Sequence, residues 1–182
     1  MRFILVFLFI TKAIAYPFIN LLRHYPIISL TPVHLTNCKT QKILDIGCGY
    51  GQSTQQIHNL VNKDSIVSGI DKDEFKILKA NHQHPSIKFG IDDIRYSKLP
   101  SQEYDMLFVS NVFQEIENKD FKKVVKQMNR ISKNENSILY LYHNQINDQL
   151  FDNMKIFYEN FNIIQSSLQE NNHFIIAKPR KV

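Results

Sequence analysis

From residue 42 onward the chain alternates between two hydrophobic periods. Short apolar runs at Lys42–Ile46, 66–70, 87–91, 104–109 and 137–142 have the length and the branched or aromatic content of buried strands. Between them lie stretches whose apolar residues recur three and four apart. Ile57, Leu60 and Val61 share one face of a helix expected over 52–62, and Phe75 and Leu78 mark a second helix. Phe121, Val124, Val125, Met128 and Ile131 mark a third over 120–132. Leu150, Phe151, Met154, Phe157, Tyr158 and Phe161 stripe a fourth over 148–161. Repeated strand–helix units predict parallel strands, right-handed crossovers and helices on both faces, a doubly wound three-layer αβα sheet. The last two apolar runs, 162–168 and 173–177, are joined by a few polar residues with no room for a helix, so they predict an antiparallel hairpin closing one edge.

The first 39 residues do not share this pattern, and residues 40–182 are expected to form the domain. Met1-Arg2, the apolar run 3–10 and Ala13-x-Ala15 have the outline of a secretory signal peptide over residues 1–15. The run is too short to cross a bilayer, which takes roughly 20 residues. A signal, a membrane contact through residues 3–22 and an apolar segment packed on the domain or a partner are the three readings. Phe18, Leu21, Leu22 and Tyr25 then predict a short helix over 17–25 that Pro26 stops. A connector, 27–40, leads to the first strand.

Composition narrows the picture only a little. A chain of 182 residues, 43% hydrophobic and 21% charged, has the size and make-up of one globular domain. Its formal charge is +5, and much of the excess sits in Lys119, Lys122, Lys123, Lys126, Arg130 and Lys133. These lie opposite the apolar stripe of the third helix and read as a solvated face. No aromatic residues interleave them, which argues against nucleic acid as a partner. The two cysteines form neither a disulfide framework nor a metal pattern, and no metal site is expected.

Chemistry enters at Asp45-Ile46-Gly47-Cys48-Gly49-Tyr50-Gly51, directly after the first strand. Gly47 can turn with positive φ, Gly49 lets a ligand approach the backbone, and Gly51 lets the helix start close to the strand. Cys48 offers a small side chain inside the turn. Asp45 would repel a pyrophosphate and suits a cationic group such as an α-amino group. In an open α/β sheet the ligand binds beyond the carboxyl ends of the strands, so the other strand ends matter too. Asp71 ends the second strand and can accept from both hydroxyls of a ribose. Asp92, Asp93 and Ile94 follow the third, where a carboxylate can accept from an exocyclic amine and Ile94 can pack on a ring. Ser110, Asn111, Gln114 and Glu115 follow the fourth.

This ordered set resembles the class I S-adenosylmethionine-dependent methyltransferases, of the compact small-molecule type. Asp45 with Gly47, Gly49 and Gly51 matches their glycine motif, and Asp71 matches their ribose-binding acid. Asp93-Ile94 leading to Leu99-Pro100 is similar to their adenine-binding segment, and residues 104–111 look like their fourth-strand motif. The resemblance covers roughly residues 40–178. It implies a Rossmann-like fold, S-adenosyl-L-methionine as cofactor, and methyl transfer by in-line displacement to a small, lipophilic or lipid-like acceptor. A cytosolic cofactor argues for a cytoplasmic protein, and the apolar start for a membrane-associated one.

The resemblance also has departures. Gln114 and Glu115 stand where many small-molecule members carry a histidine pair. The spacer from Asp93 to Leu99-Pro100 is long, so Asp92 is an alternative adenine contact. No insertion follows the fifth strand as a substrate lid. His143 and Glu115 are the candidates for a general base, with a loop histidine and a solvated helix-start acid as their plain readings. Two other functions remain open: a non-catalytic cofactor-binding or partner subunit, and a nicotinamide-dependent dehydrogenase, against which Asp45 and the early third glycine both count.

Overall fold

The computed structural model describes residues 41–144, 148–169 and 172–180. The apolar run 3–10, the helix expected over 17–25 and the connector 27–40 lie outside them. Seven strands form one sheet: β1 (Lys42–Ile46), β2 (Ile66–Asp71), β3 (Lys88–Ile91), β4 (Met106–Ser110), β5 (Ile138–His143), β6 (Phe161–Gln169) and β7 (Asn172–Pro179). Their order is β3-β2-β1-β4-β5-β7-β6. β1 to β5 run parallel, and β7 lies antiparallel between β5 and β6. Helices α1 (Gln52–Leu60), α2 (Glu74–Gln83), α3 (Asn118–Ile131) and α4 (Asp148–Asn160) connect the strands. The Rossmann-like sheet and its closing antiparallel hairpin are as expected.

Because both faces of the central strands are covered, alternate residues of one strand enter different cores. Leu44, Ile46, Leu107, Val109, Leu139, Leu141 and Ile175 face the side of α3 and α4. Ile43, Met106, Phe108, Tyr140, Phe174 and Ile176 join Ile57 and Val61 of the α1 side on the opposite face. α3 buries Phe121, Val124, Val125, Met128 and Ile131, while Lys119, Lys122, Lys123 and Lys126 are exposed, so the solvated basic face is observed.

Several details differ from the sequence expectation. β4 starts at Met106, because Tyr104 bridges to Ser132 and Asp105 serves as an anchor at the amino end of the sheet. Asp105 accepts from the Lys42 amide at 2.9 Å and pairs with Lys133 at 2.8 Å. Phe161 opens β6 instead of closing α4. β5 runs on through His143, which pairs with His173 of β7. Phe75, Leu78, Phe151 and Tyr158 are exposed. α2 turns Ile77 and Ala80 inward over the four-residue edge strand β3, where the core is small. α4 buries Leu150, Met154 and Phe157, a narrower stripe than its sequence offers.

The strand order reverses at β1: β2 and β3 lie to one side, β4 and β5 to the other. That reversal opens a crevice at the carboxyl ends of β1 and β4.

Candidate active site

A cavity of about 240 Å³ occupies this crevice. β1 contributes Ile46, Gly47 and Gly49; β2 and the first turn of α2 contribute Ile70, Asp71, Lys72 and Lys76. β3 contributes Asp92, Asp93, Ile94 and Arg95, and β4 contributes Ser110, Asn111, Val112, Glu115 and Ile116. Gly47, Gly49, Asp71, Asp92, Asp93, Ile94, Asn111 and Glu115 are thus brought together around one space. Asp45, Cys48, Gly51 and His143 are not in its wall.

The glycine turn is bound to β2 before any ligand is considered. The N–H groups of Gly47 and Cys48 both donate to the Ile70 carbonyl, at 2.8 and 3.0 Å. Gly49, at φ +55°, donates to Asp71 Oδ2 at 3.0 Å. A β-carbon at Gly49 would meet nothing within 4 Å, so the backbone there borders open space. At Gly47, with φ +72°, a β-carbon would stand 2.3 Å from Val112 Cγ2, so glycine is required by contact as well as by conformation. Gly51 sits under Phe89 and His84, which lets α1 start against the sheet.

Asp71 is buried at the end of β2. One oxygen accepts from Gly49 N–H, and the other from Asp73 N–H at 2.9 Å. Each oxygen has a lone pair left for a ligand hydroxyl. Asp73 in turn caps α2 by accepting from the Lys76 amide at 3.1 Å.

Asp45 lies behind the turn, 1% exposed, and accepts from Ser53 Oγ at 2.6 Å and Thr54 Oγ1 at 2.7 Å. Burial pushes its carboxyl up to about 6, against the pull of the two hydroxyls. It ties β1 to the start of α1, one layer below the cavity. Cys48 is also buried, packed beside Gly69, and burial pushes its thiol up out of the reactive range.

On the β3 side, Asp92 Oδ2 accepts from Ser97 Oγ at 2.7 Å. Asp93 caps the short turn Ile94–Tyr96 and pairs with Arg95, whose guanidinium holds its carboxyl below the usual range. Arg95 also approaches Asp120 at 3.5 Å. The long spacer after Asp93 is clasped by Arg130, which donates to the carbonyls of Ser97 and Leu99 at 3.0 and 2.6 Å. Ile94 is buried and joins Ile46 and Ile70 as apolar wall.

On the β4 side, Asn111 has φ +55°, and its N–H donates to Tyr142 O at 2.8 Å. Its Oδ1 accepts from the Asn144 amide at 2.9 Å. Glu115 is exposed and lies 3.8 Å from Lys72. His143 is fully buried, its ring tilted against Phe113 with centroids 5.5 Å apart, and burial lowers its imidazole to about 4. Lys72, Lys76 and Arg95 were not singled out in the sequence. The available signal was their position directly beside or one helical turn beyond the strand-end acids.

A sheet of this order with a reversed last pair, and a glycine turn next to a β2 carboxylate, is the arrangement of class I S-adenosylmethionine-dependent methyltransferases. Residues 43–135, just over half of the chain, match the family model of the methyltransferase domain, and the chain belongs to that family. Trans-aconitate 2-methyltransferase from Agrobacterium fabrum is 36% identical over 70 residues, 38% of this chain and 27% of that protein. A protein of invertebrate iridescent virus 6 named as a methyltransferase is 40% identical over 65 residues, 36% of this chain and 24% of its own length. The chain thus matches about a quarter of each of these relatives. The N-methyltransferase NodS from Bradyrhizobium japonicum, in complex with S-adenosyl-L-homocysteine, has a TM-score of 0.71 at 15% identity, covering 87% of this chain and 86% of that one. A SAM-dependent methyltransferase from Aquifex aeolicus has a TM-score of 0.70 at 16% identity, covering 86% and 90%.

The residues present fit the family's cofactor. Gly49 leaves open backbone at the turn, Asp71 keeps free lone pairs, and three isoleucines form an apolar wall.

Proposed function

We propose that the protein transfers a methyl group from S-adenosyl-L-methionine to a small or lipophilic acceptor by in-line displacement. The observation that carries this is the Gly49–Asp71 hydrogen bond at the rim of the cavity, which joins the turn and the β2 acid into one surface. In this reading Asp71 accepts from the ribose hydroxyls. Asp92 or Asp93 accepts from the adenine amine, with Ile94 against the ring. The glycine turn and Asn111 meet the amino-acid tail, and Asp45 braces the turn from behind. When bound, the cofactor supplies a methyl group on a sulfonium. The protein's part is to align it with the acceptor and exclude water, which lowers the barrier mainly by proximity. Of the two base candidates, His143 is enclosed, whereas Glu115 is exposed in the cavity wall, 3.8 Å from Lys72. The Agrobacterium relative's name, a methyltransferase for trans-aconitate, supports a small-molecule acceptor.

Calorimetry with S-adenosylhomocysteine tests the reading. We expect one site per chain, and Asp71→Ala to bind at least tenfold more weakly, since hydrogen bonds to a charged group are worth about 1.5–3 kcal/mol each. A folded wild type that does not bind, or an Asp71→Ala variant that binds equally well, refutes it. Binding without release of labelled product in a cell extract would favour the non-catalytic alternative.

A further inference from the structure

The two edges of the sheet are protected to different degrees. An edge strand leaves a row of backbone N–H and C=O groups free to pair with another chain, and proteins blunt it with short length, charge or proline. β3 follows this rule: it has four residues, opens on the exposed Lys88 and runs directly into Asp92 and Asp93. β6, at the opposite edge, has nine residues and carries neither charge nor proline from Phe161 to Gln169. Its outer side has no partner strand among the described residues.

Asn162, Ile163, Ile164, Gln165 and Ser166 are all exposed. Side chains alternate between faces along a strand, so exposure in unbroken succession means that both faces are bare there as well as the edge. Ile163 and Ile164 are 38% and 48% exposed, apolar surface of the kind that helices cover elsewhere in the sheet. The end of α4 lies beside it. Arg180 donates to the Asn162 side chain at 3.1 Å and to the Tyr158 carbonyl at 3.4 Å, and Tyr158 shares an exposed stripe of α4 with Phe151. The lysine on that stripe, Lys155, is engaged within the chain, paired with Asp152 and lying over the Phe151 ring. The pairing of β6 with β7 slips between Ile163 and Gln165, a bulge that bends the amino end of the strand. From Gln165 to Gln169 the ladder is unbroken, so this half of the edge is straight enough to receive another strand.

Charge identifies the partner. When a strand pairs antiparallel with its own copy, each residue stands against one from the same stretch, so a charge would meet its own sign and be repelled. β6 has no such charge, and a partner chosen by charge would find nothing on it to read. We propose that two copies of the chain join antiparallel along β6, through Gln165–Gln169, with Ile163, Ile164, Phe151 and Tyr158 of both copies as the apolar flanks. β6 runs in the direction of β1 to β5, because β5 and β6 are each antiparallel to β7. The two-fold axis reverses that direction in the second copy. One continuous sheet therefore carries its two cavities at opposite ends, each separated from the joint by β5 and β7.

Sedimentation velocity of the full chain, with hydrogen exchange as a second readout, tests the joint. We expect a dimer at micromolar concentration, in which the amides on the outer edge of β6 are protected. Ile164→Lys and Ser166→Lys place like charges on the joint, and each should weaken the dimer at least about tenfold. Both positions are exposed, so both variants should unfold at the wild-type midpoint. Phe75→Lys, on the exposed face of α2, should leave the dimer unchanged. A monomer at every concentration overturns the proposal, as does a dimer that keeps its strength in both β6 variants or loses it equally in Phe75→Lys. A monomeric variant whose outer β6 amides stay protected also overturns it, because another segment of the same chain then covers the edge.

Discussion

The two flanks of β1 are built from opposite materials. Toward β2 and β3 the cavity is bordered by carboxylates held by local donors: Asp71 by backbone amides, Asp92 by Ser97 and Asp93 by Arg95. Behind them the core is small and the outer face of α2 is exposed. Toward β4 the wall is Ser110, Asn111, Val112, Glu115 and Ile116, backed by a dense aromatic cluster in which Phe113 meets Phe121 at 4.8 Å, His143 at 5.5 Å and Phe157 at 5.9 Å. One flank presents three carboxylates from the ends of β2 and β3, and the other presents a mixed polar and apolar surface from the end of β4. The first flank offers acceptors to ligand hydroxyls and amines. The second is rigid, and its rigidity comes from packing.

The sharpest way to break this contrast is Phe113→Ala. Removing a fully buried ring at the centre of that cluster should cost about 3–5 kcal/mol in chemical denaturation, whereas Phe75→Ala on the exposed α2 face should stay within about 0.5 kcal/mol. Similar losses at the two positions would show that the flanks are equally packed.

Asp45→Asn should act in the other direction. The native carboxyl is raised from 3.8 to about 6, so its protonated form is favoured by the fold. The stability it contributes is full below about pH 3.8 and is lost as pH rises through about 6. Asparagine keeps an acceptor for Ser53 and Thr54 without the buried charge. At pH 7 the variant should gain roughly 1–3 kcal/mol, with a flatter pH profile between 4 and 6. An unchanged or lower midpoint would mean that Asp45 is ionised at no cost.

His143 has the opposite sign. Its imidazole is lowered from 6.5 to about 4, chiefly by burial, so the unfolded chain takes up a proton first as pH falls. Its contribution is present above about pH 6.5 and is lost as pH drops through about 4. Across the shared window the two groups partly offset each other in the wild type. His143→Asn in the Asp45→Asn background should remove most of the remaining slope, measured as denaturation midpoints from pH 7 to 4. The smallest effect belongs to the exposed pair across the mouth of the cavity. Glu115→Gln should change stability by no more than about 0.5 kcal/mol, and any difference should vanish in high salt.

Much of the architecture was readable from periodicity. β1, β2, β5 and the amphipathic α3 follow from local pattern, because each buries most of what its sequence marks as apolar; the closing hairpin follows from its short polar connection, although Ile163 and Ile164 of β6 are exposed. The failures came where neighbours override local pattern. Tyr104 has strand chemistry, but Asp105 is recruited to anchor β1 and β4 at their amino ends. Phe75 and Leu78 look like a core stripe, but the short edge strand beneath α2 has room only for Ile77 and Ala80. The strand-end acids were legible at the site because topology brings strand ends together. The depth of Asp45 was not, since it depends on two hydroxyls at the start of α1. Nor was the enclosure of His143, which requires β7 alongside β5.

Gly47 and Val112 come from different strands, yet the valine methyl fills the space that a side chain at 47 would need. These two positions are therefore not independent under mutation. Gly47→Ala alone must push the β4 loop, whereas Val112→Gly should recover the part of its penalty that is contact and leave the part that is the left-handed backbone. A change in the glycine turn would thus be selected together with one beside Asn111, although the two lie far apart in the chain.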